Sequence, residues 1–405
     1  MNIPVTCEFD IVIAGGGAAG LAAAVKAGLV AKSIGPASGL NPALRMALIE
    51  KKEVPGKKLS ATGNGRCNLS NTACTDREDV DSFFDCLGLL IRTDEAGRMY
   101  PYSEEAGEVS SLLAETARQQ GTEFYLNTKI TKIEVQEEGF LLTAEKEGKP
   151  LAICCRKLLL ALGGKSYSVF GTTGDGYGMA RRLGHSVTRL APSLVPVCVD
   201  ASLCSLAGVR TKAKVGLLHC GQLIAEEEGE VQFNKDCISG ICVMNLSRLL
   251  VLNPAKPFAE AFAEYELCID LVPEYSCQEL VVFLCRKPAG QMLQGLVRKK
   301  LAAYILGRTP EPRQVASLLQ DLRVTVSGPR GWNDAQVTRG GVVLDEVNPK
   351  TMESRLVPGL YFAGEILDYD GPCGGWNLHF AWNSGLRAGT AMAEAILGMQ
   401  TSEKA

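Results

Sequence analysis

Two segments at opposite ends of the 405-residue chain carry the residue types needed to hold a phosphorylated ligand. The first is Phe9-Asp10-Ile11-Val12-Ile13-Ala14-Gly15-Gly16-Gly17-Ala18-Ala19-Gly20-Leu21. It reads as a short apolar strand, a Gly-x-Gly-x-x-Gly turn and an Ala-rich helix. Gly15 permits the tight turn, Gly17 lets the backbone approach a pyrophosphate, and Gly20 lets helix and strand pack closely. The helix N-terminus then offers unpaired N–H groups and the positive end of its dipole to phosphate. The second segment, Gly359-Leu360-Tyr361-Phe362-Ala363-Gly364-Glu365, is a strand running into a small turn. Together they read as the two halves of one flavin site.

The acidic partner of such a turn is Glu50, at the end of the apolar run Met46-Ala47-Leu48-Ile49. A carboxylate there accepts hydrogen bonds from ribose hydroxyls and repels a 2′-phosphate. Its offset exceeds the usual spacing of about 20 residues. The stretch Gly35-Pro36-Ala37-Ser38-Gly39-Leu40-Asn41-Pro42 is dense in turn formers and predicts an inserted loop that accounts for the excess. Directly after Glu50 comes Pro55-Gly56-Lys57-Lys58-Leu59-Ser60-Ala61-Thr62-Gly63-Asn64-Gly65-Arg66-Cys67-Asn68-Leu69-Ser70-Asn71. Its glycines, small polar residues, lysines and arginine suit a loop that wraps an anionic, hydrogen-bonding ligand.

Composition narrows the class. The chain is long enough for two or three domains, and its 46% apolar share is ordinary for a globular protein. The charge is balanced, 42 basic against 45 acidic residues, with no basic block, so no nucleic-acid partner is expected. No apolar run reaches the length of about 20 residues that spans a bilayer, and Glu8 and Asp10 interrupt any signal-peptide pattern. The 15 cysteines are scattered through apolar stretches, as at Cys242, Cys268 and Cys285, with no Cys-x-x-Cys, and only three histidines are present. That usage predicts buried thiols in a reducing, cytoplasmic compartment and no metal centre.

Along the chain, residues 9–50 form a first β–α–β unit and Glu104 to Gln120 a helix stopped by Gly121. Short strands follow at Phe124–Leu126, Lys129–Val135, Phe140–Ala144 and Leu151–Cys155, a β-meander, and another at Lys157–Leu162 leads into Gly163-Gly164. Val195–Val199, Val209–Leu218, Gln222–Glu226 and Glu230–Phe233 read as antiparallel strands, and Asn245 to Leu319 as mostly helical. Strand texture returns at Leu322–Val326 and Val342–Leu344, and residues 357–398 give a strand, a glycine-rich loop and a closing helix, Asn377 to Ile396. The expected organisation is α/β: a discontinuous Rossmann-like nucleotide-binding domain of residues 1–190 and 325–405. It is interrupted by a β-barrel-like region, 191–245, closed by strands near 322–326, and a helical subdomain, 246–320.

The motifs occur in a recognisable order. Gly-Gly-Gly-Ala-Ala-Gly, Ile-Glu-Lys, Pro-Gly-Lys-Lys-Leu and Thr-Gly-Asn-Gly-Arg-Cys-Asn-Leu are followed by Ala161-Leu162-Gly163-Gly164-Lys165-Ser166-Tyr167 and Gly171-Thr172-Thr173-Gly174-Asp175-Gly176-Tyr177. Ile238-Ser239-Gly240 and Gly364-Glu365-Ile366-Leu367-Asp368-Tyr369-Asp370-Gly371-Pro372-Cys373-Gly374-Gly375-Trp376-Asn377-Leu378 complete the set. Over nearly its whole length the chain resembles the bacterial BaiN-type or aminoacetone-oxidase-type family of FAD-dependent oxidoreductases. The resemblance implies non-covalent FAD on a split, glutathione-reductase-like Rossmann domain with an inserted β-barrel and a helical subdomain. Two departures are the long loop before Glu50 and Cys373, which stands where a threonine is common.

The same resemblance assigns roles. Gly15, Gly17, Ala18, Ala19 and Gly20 line the pyrophosphate, and Glu50 with Lys51 sits at the adenosine ribose. Lys58, Leu59, Thr62, Gly63, Asn64, Gly65, Cys67 and Asn68 approach the flavin side, and Ile130 passes its backbone beside the adenine. Ala161, Leu162, Gly163 and Gly164 cross close to the cofactor. Gly364 and Glu365 face the ribityl chain, Asp370, Gly371, Asn377 and Leu378 close over the isoalloxazine, and the last helix aims its N-terminus at the ring. There its dipole favours negative charge on reduced flavin.

Residues acting on the substrate are not legible: flavin carries the hydride or electrons itself. Cys67 lacks the closely spaced partner of a disulfide reductase, and Tyr167, Tyr369 and His379 are weak candidates for acids. No second strand–Gly-x-Gly-x-x-Gly–helix occurs, so a nicotinamide donor, NAD(P)H, would have to bind transiently in the substrate cleft. Three classes stay open: a flavin oxidoreductase on a small organic molecule, a flavoprotein of tRNA modification, and a non-enzymatic flavin redox sensor.

Overall fold

The computed structural model describes residues 7–38, 44–257 and 260–398. The chain divides into two compact units, one of residues up to Ala191 together with those from Val337 onward, the other Pro192–Gln336.

In chain order, the first unit begins with β1 (Cys7–Ala14), α1 (Ala18–Ser38), β2 (Met46–Ile49), the one-turn α2 (Lys57–Ser60) and β3 (Ser70–Asn71). It continues through α3 (Arg77–Cys86), β4 (Ile91–Thr93), β5 (Arg98–Pro101), α4 (Ala106–Gln119), β6 (Thr122–Tyr125), β7 (Thr128–Gln136), β8 (Gly139–Lys146), β9 (Lys149–Leu160) and α5 (Asp175–Arg182). Two short strands, β10 (Ala191–Ser193) and β17 (Val337–Arg339), flank the second unit in sequence. That unit contains β11 (Val197–Val199), β12 (Arg210–His219), β13 (Gln222–Phe233), β14 (Cys237–Ser239) and α6 (Ile241–Ser247). It then runs through β15 (Tyr265–Asp270), α7 (Cys277–Leu284), α8 (Lys299–Leu306), α9 (Pro312–Gln320) and β16 (Leu322–Pro329). The chain ends with β18 (Leu360–Phe362) and α10 (Trp376–Leu397).

The first unit is a Rossmann-type sheet in the order β6-β2-β1-β9-β8-β7, with β18 paired to β9. β6, β2, β1, β9 and β18 are parallel, while β7 and β8 are antiparallel. The central strands read as continuous apolar runs because they are covered on both faces: Ile11 to Ala14 and Leu158 to Leu160 are fully buried. α1 is buried almost all round, with Leu21, Ala22, Ala23, Ala24, Val25 and Ala27 inaccessible, which explains its lack of a polar face. The helix continues to Ser38, so Gly35 to Ser38 of the expected loop belong to it, and positions 39–43 lie outside the described residues.

α10 packs directly on α1. A Cβ at Gly385 would fall on the Ala19 carbonyl, and one at Gly389 on that of Ala23, so the two backbones touch. Trp382, fully buried, donates its indole N–H to the Leu69 carbonyl at 3.0 Å and meets Phe84 edge-on with ring centroids 5.3 Å apart.

Two pairs of expected strands are single strands. β9 is unbroken because it has two partners on one side: residues 149–155 pair with β8 and 158–160 with β18. β13 runs through Glu227-Glu228-Gly229, the gap between the two expected strands, because each residue there has a partner on β12. Tyr265–Asp270 corrects the expectation of a mostly helical stretch. Tyr265, Leu267 and Ile269 point inward with a period of two, and the strand joins β12 to β16. The result is a closed barrel, β11-β14-β13-β12-β15-β16. Val342–Leu344 is not a strand: Val342 makes isolated bridges to Val187 and Leu367.

Gly385→Val should destabilise the protein by about 1–3 kcal/mol, the range for overpacking a close contact. Urea unfolding of the variant beside wild type measures it; a midpoint unchanged within error would mean that the helices do not meet at the backbone.

Candidate functional site

Strand register sets the site. Ala14 of β1 is level with Ile49 of β2 and Leu160 of β9, and Leu160 is level with Phe362 of β18. The segments beginning at Gly15, Glu50, Ala161 and Ala363 therefore leave the sheet side by side at the C-terminal ends of its parallel strands, where open α/β sheets bind ligands.

Their contacts are tight. Gly15 has φ +109°, and a Cβ there would fall on the Ala161 carbonyl. A Cβ at Gly20 would fall on the Gly15 carbonyl, and one at Gly364 would lie 2.9 Å from the Ala19 methyl. Gly17 differs from all of these: a Cβ there meets nothing within 4 Å. This open space stands before the first turn of α1, whose Ala18, Ala19 and Gly20 amides have no carbonyl of their own helix to bond. Ser384 of α10 accepts the Gly364 N–H at 2.9 Å.

Glu50 is fixed by backbone. One carboxylate oxygen accepts the Gly16 N–H and the other the Lys52 N–H, both at 2.9 Å. Each oxygen keeps a further lone pair for a ribose hydroxyl. Its carbonyl accepts the Thr128 N–H at 3.0 Å, which brings buried Ile130, two residues along β7, to the same end of the sheet.

The two lysines have protein partners. Lys51 Nζ bonds Asp175 at 2.7 Å and Thr173 at 2.6 Å, tying the strand end to the Thr-Thr-Gly-Asp-Gly turn. Lys58 Nζ bonds Glu365 at 2.7 Å and Ser166 at 2.8 Å. The other Glu365 oxygen accepts from the Ser166 hydroxyl at 2.9 Å and the Thr338 N–H at 2.8 Å. Thr338 Oγ1 in turn accepts the N–H groups of Lys165 and Ser166. A Cβ at Gly164 would strike Glu365 and Thr338, so this network passes directly over the Ala161–Gly164 crossing, with Leu162 half-buried beside it. Thr338 and Ser384 carry no motif, and Ser166 has no role of its own within the Ala161–Tyr167 motif; their polarity matters only once the fold brings Glu365 and Gly364 to them.

The expected wrapping loop has an unusual backbone. Gly63, Asn64, Gly65 and Cys67 all have positive φ, between 56° and 85°, after Thr62 caps Leu59 through its hydroxyl at 2.6 Å. Asn64 and Gly65 are exposed, while Leu59 and Cys67 are buried. The loop closes on itself, the Arg66 N–H donating to the Gly63 carbonyl at 3.2 Å and the Cys67 N–H to the Thr62 carbonyl at 3.0 Å. Burial pushes the Cys67 thiol up to about 12, so it is protonated at neutral pH.

The C-terminal loop closes on itself and on this region. Asn377 accepts the Gly371 N–H and donates to the Gly371 carbonyl, both at 2.9 Å. Asn71 donates to the Gly374 carbonyl at 3.0 Å, and a Cβ at Gly375 would fall on the Ser70 carbonyl. Asp370 and Leu378 are half-buried in this loop and in the first turn of α10. His379 is structural: it donates Nε2–H to the Thr75 carbonyl at 2.8 Å, which leaves Nδ1 to accept from Ser70 at 3.0 Å. Burial holds its pKa below the ordinary imidazole value. Tyr369 stacks on Phe380 at 4.1 Å, and Tyr167 lies against Phe170.

A Gly-x-Gly-x-x-Gly turn, a strand-end carboxylate and a returning C-terminal strand on one sheet define a dinucleotide-binding Rossmann protein of the flavoprotein type. The model of the HI0933-like protein Rossmann domain matches residues 75–391. The chain belongs to this family, the BaiN-type and aminoacetone-oxidase-type FAD oxidoreductases. It is 35% identical to the 3-dehydro-bile acid delta(4,6)-reductase of Clostridium scindens, over 94% of this chain and 98% of that protein. It is 27% identical to the ribosomal RNA dihydrouridine synthase of Escherichia coli strain K12, over 93% and 96%. Among solved structures, 3-ketosteroid-delta4-(5alpha)-dehydrogenase of Rhodococcus jostii RHA1 shares the fold, with a TM-score of 0.51 at 15% identity over 96% of this chain and 97% of that one. No helix among the described residues is long and apolar enough to cross a membrane.

With its thiol buried and protonated, Cys67 should not exchange electrons with flavin. Anaerobic two-electron reduction should give reduced flavin without a long-wavelength thiolate-to-flavin band, and Cys67→Ser should retain turnover. A band that disappears in Cys67→Ser together with turnover would make Cys67 a redox catalyst.

Proposed function

We propose that this protein is a reductase that binds FAD non-covalently and adds hydrogen across a carbon–carbon double bond conjugated to a carbonyl in a small organic molecule. The observation that carries the cofactor reading is the open space at Gly17, where a Cβ would meet nothing within 4 Å, beside strand ends that bring Glu50, Ala161 and Ala363 level with the turn. Amides of Gly17, Ala18, Ala19 and Gly20 would bind the pyrophosphate, Glu50 the ribose, and the Ile130 backbone would lie beside adenine. Lys51 sits at the ribose end and would keep its bond to Asp175 while a nucleotide binds. Thr62 to Asn68 would flank the flavin, Gly364 and Glu365 the ribityl chain, and Asp370, Gly371, Asn377 and Leu378 the ring. Bound FAD would supply the hydride, with a nicotinamide coenzyme as the donor that replenishes it.

The reaction class rests on what the relatives' names have in common. A delta(4,6)-reductase of a 3-dehydro-bile acid and a synthase of dihydrouridine both saturate a carbon–carbon double bond in a carbonyl-containing π-system. The small-molecule reading is favoured by the higher identity to the bile-acid enzyme and by the net charge of −3 without a basic block. The two RNA-named relatives support the second reading, reduction of uridine in RNA.

Purified protein should be yellow and release FAD on heating. Gly17→Val should lose FAD by at least about tenfold in affinity, since its side chain fills the pyrophosphate space, and keep wild-type stability without ligand. FMN in the supernatant, or full FAD occupancy in the variant, would refute the assignment.

Anaerobic mixing with NADH or NADPH, followed by separate addition of a conjugated dienone steroid and of uridine-containing ribosomal RNA, tests the substrate. Reoxidation by the steroid alone supports the proposal, and reoxidation by RNA alone replaces it with the second reading.

A further inference from the structure

Within the barrel unit, β11 and β14 run antiparallel with Cys198 directly opposite Cys237. The Val199 N–H bonds the Asp236 carbonyl at 3.2 Å. That bond joins the residue after Cys198 to the residue before Cys237, so the two cysteines occupy a non-hydrogen-bonded position. Cα atoms at such positions are about 4.5 Å apart, within the range of about 4.4–6.8 Å that a disulfide bridges. Their side chains share a face. Val197, Val199 and Ile238 point into the barrel core, so the alternation puts both thiols on its outer side.

The surroundings act on the pair in opposite directions. The Arg330 guanidinium donates to Cys237 Sγ at 3.3 Å and also faces the carboxylates of Asp236 at 3.9 Å and Asp334 at 3.5 Å, while the Arg330 backbone N–H donates to the Pro196 carbonyl at 2.9 Å. A fixed cation beside a thiol stabilises the thiolate. It opposes, without overcoming, the burial and the Asp236 charge that raise both thiols. Cys198 is partly accessible and Cys237 is fully covered, which gives the pair an outer and an inner member.

We propose that Cys198 and Cys237 are a redox-modification site, a dithiol that reduces a peroxide and closes to a cross-strand disulfide. The Cys198 sulfur attacks the peroxide oxygen, breaking the O–O bond and forming a sulfenic acid with release of water from hydrogen peroxide. The Cys237 sulfur then attacks the sulfenic sulfur, forming the S–S bond and expelling hydroxide, which takes the Cys237 proton as a second water. Two thiols lose two electrons, and one peroxide becomes two waters. The bond would staple β11 to β14, strands already in register, without moving the barrel.

The test uses reduced full-length protein exposed to graded hydrogen peroxide, quenched with iodoacetamide, digested and analysed by mass spectrometry. The expected product is a joined peptide pair containing Cys198 and Cys237, two hydrogens lighter than the separate peptides. It should be reversed by dithiothreitol, absent from Cys198→Ser, and formed at peroxide levels below those that oxidise exposed Cys204 and Cys277. Recovery of Cys198 and Cys237 as separately alkylated peptides, at levels that already oxidise Cys204 and Cys277, would overturn the proposal. So would a Cys198 or Cys237 cross-link to any other cysteine.

Discussion

The nucleotide-binding unit depends on the backbone contact between its first and last helices. Side chains at Gly385 or Gly389 would separate α10 from α1 at Ala19 and Ala23. Ala19 is also the residue against which Gly364 rests, and it lies between the glycines of the N-terminal turn. α1 is therefore gripped at three positions, Gly364, Gly385 and Gly389, where an added Cβ would collide. Close packing of this kind has little compliance, so errors of an ångström would propagate into the turn.

Polar ties then set what the packing leaves adjustable. Lys58 and Glu365 are partly exposed, and an ion pair of that sort adds little stability by itself. Its value lies in direction. Glu365 also receives Ser166 and Thr338, and Lys58 also reaches Ser166, so one carboxylate fixes three segments at once. Glu50 does the same for the β1 turn and its own strand end through two backbone N–H groups. Carboxylates whose lone pairs are partly used by the protein are preorganised acceptors, with little reorientation left when a ligand arrives.

Much of this was legible in the sequence because glycine spacing and apolar runs are local signals. The Gly15–Gly20 turn, Glu50 at a strand end and the returning Gly364 are identified by residue type and order. The strand Tyr265–Asp270 was not, because six residues of alternating burial sit between helix-like stretches and are explained only by a gap between β12 and β16. The joins within β9 and β13 were hidden for a related reason: Arg156 and Glu227-Glu228-Gly229 resemble breaks until pairing partners are known. Glu365 was expected beside a ribityl chain, and its bonds to Lys58, Ser166 and Thr338 join positions up to 307 residues apart that no local pattern connects. The cross-strand meeting of Cys198 and Cys237 is of the same kind. Each reads alone as a small buried hydrophobe, and only the register makes them neighbours.

The distance along the chain between Lys58 and Glu365 has a consequence for how the protein is made. Synthesis is vectorial, at about 5–20 residues per second, so roughly 15–60 s separate the emergence of the two residues. During that interval the glycine turn lacks Gly364, the Glu365 carboxylate and the helix that braces Ala19. A nascent chain can pair β1 with β2 and β9 before β18 and α10 exist. The contacts of Gly364 and Glu365 then wait for residues more than 300 positions downstream of Lys58, and a ribosome that stalls before residue 364 would hold a partly built sheet.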